Sequence, residues 1–166
     1  TPEREIAGPA LAYAALSVTD LDAARRFWLI DLGLREDAGF RIDDDRQSLW
    51  GPADVATDAF AVRLGDMRIE VLCHPDTSAR ARPERRLSDQ GMMNIGLGFR
   101  EREPLEQLVA RLVDRGYDIT VPLGPGLPAA TYAWGPEGAS VESLCVSEDQ
   151  DALVGFLPRS DRALFG

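Results

Sequence analysis

LAYAALSVTDLDAARRFWLIDLGL, residues 11–34, changes its hydrophobic period partway along. Over LAYAALSV, residues 11–18, side chains alternate with the period of two that a strand requires. Beyond Asp20 the apolar residues Leu21, Ala24, Phe27 and Trp28 recur at helical spacing and fall on one face. Asp20 suits an N-cap, because its short carboxylate can accept from the unpaired amides of a first helical turn. Gly33 suits the C′ position, where the chain turns left-handed and the helix stops. The stretch therefore predicts a strand and then a helix. A short extended piece around residues 35–42 follows, then another ending in DAFAVRLG at 58–65, then the strand MRIEVLC at 67–73. Gly65-Asp66 makes a tight connection between the last two.

The pattern then begins again. MMNIGLGF at 92–99 reads as a strand, and Pro104 opens a helix, PLEQLVARLVDRG, with Gly116 at its end. YDITVPLG, AATYAWG and ASVESLCV supply three more strands, with Pro136, Glu137 and Gly138 forming the turn before the last. Both halves read β-α-β-β-β, the first over 11–73 and the second over 92–146. The Arg-rich segment at 74–91 reads as a linker between them, and 147–166 as a C-terminal tail with a short helix from Gln150 to Phe156.

The chain of 166 residues suits one domain, and its 45% hydrophobic and 28% charged shares are those of a folded protein. Its net charge of -10 argues against nucleic acid and anionic membrane as partners, since both carry the same sign. No apolar run reaches the roughly 20 residues of a bilayer span, and TPEREIAGPA lacks the layout of a signal peptide. Cys73 and Cys145 lie in apolar stretches without metal-ligand spacing and read as two buried thiols rather than a bridge. A cytoplasmic location is the expectation.

VTDLDAARRFWLIDLGL resembles the opening of the vicinal oxygen chelate superfamily, the glyoxalase, bleomycin-resistance and extradiol-dioxygenase group. The matching positions are Val18, Asp20, Leu21, Ala24, Phe27, Trp28, Leu32, Gly33 and Leu34. MRIEVL resembles the family's Glu-bearing fourth strand, and GPEGASVESL its final turn and strand. The resemblance implies an α+β fold in which two βαβββ modules form an eight-stranded, U-shaped sheet around a cup, helices outside. Strand parity agrees: Met93, Ile95, Leu97 and Phe99 share one face of MMNIGLGF, while Asn94, Gly96 and Gly98 share the other and leave volume empty. Tyr13, Ala15 and Ser17 would form the matching face of the first strand.

Metal-using members of the family take two His and two carboxylates from the first and last strands of each module. The resemblance carries those four positions onto Tyr13, Glu70, Asn94 and Glu142, so both carboxylates are kept and neither histidine is. The only histidine, His74, follows the strand of Glu70 on the opposite parity. Two carboxylates, a phenol and an amide make a poor Zn, Ni or Fe site. A hard divalent ion could use Glu70, Glu142 and the Asn94 carbonyl, but the expected site has no metal and no cofactor. Two carboxylates facing one hollow would instead supply a base and an acid. The catalytic candidates are therefore Glu142 and Glu70, with Tyr13 donating to a developing oxyanion. Asn94, Trp50, Tyr132 and Trp134 are candidates for holding a flat ligand. Arg63 and Arg68 flank the last strands of the first module and read as a solvated face, with the binding of an anionic group as the alternative. The loop VPLGPGLPA, residues 121–129, would overhang the cup mouth. The expected function is a lyase, isomerase or cyclase acting on a small oxygenated molecule. The alternative is a non-catalytic protein that sequesters a small molecule or antibiotic. A homodimer is compatible with the resemblance.

Overall fold

The computed structural model describes residues 13–42, 57–65, 67–74, 94–151 and 154. The first module runs β1 (Tyr13–Val18), α1 (Leu21–Arg25), β2 (Arg35–Glu36), β3 (Asp58–Leu64) and β4 (Met67–Cys73). The second runs β5 (Ile95–Phe99), α2 (Arg102–Asp114), β6 (Asp118–Ile119), β7 (Ala129–Trp134) and β8 (Ser140–Cys145). Both are β-α-β-β-β, as the sequence implies.

Asp20 caps α1 as expected: its Oδ1 accepts from the Ala23 amide at 2.9 Å. The helix then continues as a π-helix over Arg26–Asp31, from which Phe27, Trp28 and Asp31 all point inward. Gly33 and Gly116 end the two helices with φ of +74° and +82°. The second helix starts two residues earlier than Pro104 suggested. A proline is tolerated inside that first turn because its missing N–H belongs to a set that is unpaired anyway. Leu105, Leu108 and Leu112 form its buried stripe. The outer strands are shorter than expected. In 117–124 only Asp118–Ile119 pairs, and Pro122 just beyond has no N–H for a ladder. In the tail, Glu148–Gln150 forms one 3-10 turn, and Phe156 lies outside the described residues.

The eight strands divide into two hydrogen-bonded sheets of four, ordered β1-β4-β3-β2 and β5-β8-β7-β6. In each, the first and fourth strands run parallel and the remaining pairs antiparallel. Among the described residues the strands thus form two matching sheets, and no ladder joins them. Helix α1 packs on β3 and β4, and α2 on β5, β6 and β8. One apolar cluster joins Ala24, Phe27 and Trp28 to Phe60, Val62, Ile69 and Val71 of the first sheet and to Ile95, Leu97, Ala133 and Val141 of the second. The Phe27 ring presses on Gly135, where a Cβ would lie only 2.5 Å from it. Cys73 and Cys145 are free and buried.

Alternation decides what the other faces carry. With Ile69, Val71, Ile95, Leu97 and Val141 turned to the shared core, register places Tyr13, Ala15 and Ser17 beside Arg68, Glu70 and Leu72 on the far face of the first sheet. On the far face of the second sheet, Gly96 and Gly98 lie beside Glu142 and Leu144.

Candidate functional site

Three rows cross the far face of the second sheet. Trp134 pairs with Ser140; Tyr132, Glu142 and Gly96 form the middle row; Ala130, Leu144 and Gly98 form the third. In the middle row the Tyr132 hydroxyl donates to Glu142 Oε1 at 2.8 Å. Asn94, immediately before β5, donates from Nδ2 to Glu142 Oε2 at 2.6 Å. The carboxylate is therefore held from both sides by neutral donors. Its hydrogen bond, together with burial, raises the Tyr132 phenol above its ordinary value, so the phenol stays a donor across the neutral range. Among the described residues, a Cβ added at Gly96 or Gly98 would meet no atom within 4 Å. Close packing by the described residues is thus not what asks for glycine in β5, and they leave the space above it open.

The first sheet treats its carboxylate differently. Glu70 is completely buried, flanked in register by Ala15 and Ala61, whose small side chains leave room around it. Arg68 Nη2 lies 3.0 Å from Glu70 Oε1. The same guanidinium lies 5.7 Å from the Tyr13 and Phe40 ring centroids and 4.0 Å from Asp37, to which Arg63 also pairs at 3.2 Å. Arg63 and Arg68 are thus engaged within this face and not merely solvated. Tyr13 is 40% exposed at its edge.

Between the modules is a crevice of about 300 Å³, lined by Ala15, Ser17, Trp28, Asn94 and Ser140 among others. Ala15 is the register neighbour of Glu70, and Asn94 is bonded to Glu142. The crevice is thus bracketed by the immediate neighbours of both carboxylates. Its rim includes Glu137, whose carboxylate reaches into the other module. Glu137 Oε1 and Oε2 accept from the Thr19 amide at 2.6 and 2.8 Å, and Oε1 also accepts from Thr19 Oγ1 at 2.8 Å and the Asp20 amide at 2.7 Å. In the sequence Glu137 was only a turn residue. No local pattern announces a partner 118 residues away.

The structure therefore brings Asn94, Tyr132 and Glu142 together, with Trp134 on the same face and 38% exposed. It sets Tyr13 and Glu70 on the corresponding face of the other sheet. Trp50 lies outside the described residues. His74 shares a hydrogen bond with Thr57 at 2.9 Å, away from both carboxylates. The metal that the sequence resemblance implies does not fit this donor set: the two positions where the resemblance places imidazoles hold a phenol and an amide, Glu70 is engaged by Arg68, and the Asn94 amide donates to Glu142. Among the described residues no three His, Cys, Asp or Glu side chains gather as a metal would require, and no helix is long and apolar enough to cross a membrane.

No protein-family model matches the sequence, and no curated protein matches it significantly. Solved structures do match in fold. A glyoxylase/bleomycin resistance protein/dioxygenase domain from Frankia sp. EAN1pec superposes with a TM-score of 0.64 at 16% identity, covering 84% of this chain and 99% of that one. The fosfomycin resistance protein FosX from Mesorhizobium loti gives 0.56 at 14% identity, over 87% and 97% of the two chains. A lactoylglutathione lyase from Agrobacterium tumefaciens gives 0.53 at 20% identity, over 83% and 94%.

Proposed function

We propose, from a fold shared with glyoxalase, bleomycin-resistance and dioxygenase proteins, that this chain is an enzyme that moves a proton on a small oxygenated organic molecule, with Glu142 as the base. One observation carries this: on an open sheet face, a carboxylate is fixed in one orientation by the Tyr132 hydroxyl and the Asn94 amide. A base so held needs no reorganisation before it reacts. Glu142 takes the proton from a carbon next to a carbonyl, and the C–H electron pair becomes an enolate. In a hydroxyketone, the hydroxyl proton on that first carbon passes to the enolate oxygen and Glu142 returns its proton to the former carbonyl carbon, which moves the carbonyl by one position and completes an isomerisation. Where the carbon on the other side of the enolate (beta to the carbonyl) bears a leaving group, its departure with the C–X electron pair re-forms the carbonyl, leaves a C=C bond and completes an elimination; isomerase and lyase thus share the first step. Tyr13 is the proposed donor to the enolate oxygen. Glu70, neutralised by Arg68 at 3.0 Å, keeps the facing wall from repelling that anion.

Exchange of carbon-bound protons for deuterium, followed by NMR over a panel of small hydroxyketones and 1,2-dicarbonyls in D2O, tests the proposal. The native protein accelerates exchange in at least one member. Glu142→Gln keeps the size of the side chain and one acceptor oxygen for its neighbours but lowers exchange by about a hundredfold or more. Equal exchange in the variant would remove Glu142 as the base. The second reading, a binder without turnover, is favoured by the exposed rings of Tyr13 and Trp134. It predicts saturable binding of a panel member with no exchange at all.

A further inference from the structure

Several carboxylates among the described residues are paired with arginines, and Glu142 is not. Glu70 pairs with Arg68, Asp37 with Arg63, Glu36 with Arg25, Glu106 with Arg102 and Asp151 with Arg100. Glu142 receives hydrogen bonds from a phenol and an amide, and among the described residues no Arg or Lys pairs with it. A carboxylate offers about four acceptor sites, and with two of them taken by neutral donors Glu142 keeps about half for a further, charged donor. Register then says where such a donor can lie. Gly96 adjoins Glu142 on the side opposite Tyr132, and a Cβ there would meet no atom of the described residues within 4 Å. The next row, Ala130, Leu144 and Gly98, offers no polar side chain and is also open above Gly98. The row on the other side adds the half-exposed indole of Trp134, and aromatic faces attract cations.

We propose that this face binds a small amphipathic amine, its ammonium group over Gly96 against Glu142 and its apolar part along Ala130, Leu144 and Gly98. The reading rests on the proposed function in placing the ligand at Glu142, and it adds the substrate class: an oxygenated compound that also carries a protonated nitrogen. Anionic analogues are excluded by the same carboxylate and by the net charge of -10.

Three near-isosteric probes test it at pH 7: 2-phenylethylamine, 2-phenylethanol and 3-phenylpropionate, with binding read by NMR shift titration. The amine binds about tenfold more tightly than the alcohol, the margin a charge-assisted bond holds over a neutral one, and the acid does not bind. Glu142→Gln brings the amine down to the level of the alcohol and leaves the alcohol unchanged. Gly96→Val, which suits a strand and fills only the open shelf, abolishes binding of both. Should that variant fail to fold, the Glu142→Gln arm decides alone. Equal affinity for amine and alcohol, preference for the acid, undiminished amine binding by Glu142→Gln, or no binding of any probe at millimolar concentration each overturns the proposal. Its failure is separable from that of the base. Amine selectivity without deuterium exchange keeps the ligand class and removes catalysis, and exchange without amine selectivity does the reverse.

Discussion

Glu137 is the one described non-glycine residue with a left-handed backbone, at φ 58°. That conformation costs about 1 kcal/mol for a residue with a Cβ, so something must offset it. The offset is its carboxylate, which accepts the Thr19 and Asp20 amides at the positive end of the first helix. A cap of this kind is worth about 1 kcal/mol and the helix dipole up to about another. Glu137→Ala keeps the strain and loses the clamp, so it should lower unfolding stability by about 1–2 kcal/mol, read by urea titration with an unchanged slope. Glu137→Gly loses the clamp but relieves the strain, and should cost less than the alanine. A reversed order of the two variants would show that strain is not part of the balance.

The first helix is gripped at both ends by the second module. Glu137 holds its start. At its end, Arg111 Nε donates to the Asp31 carbonyl at 2.7 Å and the Tyr117 hydroxyl donates to Asp31 Oδ2 at 2.6 Å. An acid at the helix N-terminus and a base at its C-terminus both complement the dipole. Burial first, and the Asp31 hydrogen bond second, push the Tyr117 phenol up to about 12. A group whose folded value is raised contributes stability that is fully present below its unfolded value, about 10. That stability is lost as pH rises from there toward 12. Native protein should therefore lose stability over that alkaline window more steeply than Tyr117→Phe, which lacks the group. Parallel pH curves for the two would contradict the assignment. This element was only partly legible. The periodicity of Leu21, Ala24, Phe27 and Trp28 announced the helix, and Asp20 its cap. The burial of Asp31 and its partners on the other module left no mark in the local pattern.

At the scale of the molecule, the two sheets share one apolar cluster although no described ladder joins them. Val62 and Ile69 of the first module and Val141 and Leu97 of the second belong to it, with Trp28 between. Neither module can open without exposing core of the other, so both should unfold in one transition. Urea titrations followed by far-UV circular dichroism and by tryptophan fluorescence should coincide. Separated midpoints would mean that each module holds its own core. Joining the modules through helices and not through a ladder also leaves the crevice beside Asn94 and Ala15.

The sequence by itself determined the duplicated β-α-β-β-β order, the Asp20 cap of the first helix, the glycines that end both helices and the parity of the first strand of each module. Each of these depends on residues within a turn or two of one another, where period and side-chain chemistry act directly. It also put Asn94 on one face of its strand with Gly96 and Gly98, because alternation is a local property, while the register across β5, β8 and β7 is what brings Glu142 and Tyr132 beside it. Only the tertiary structure decided how the two carboxylates differ. Glu70 is buried against Arg68 while Glu142 has neutral donors and open space beside it. Charge partners are set by side chains meeting across register and across modules, and no spacing along the chain encodes that.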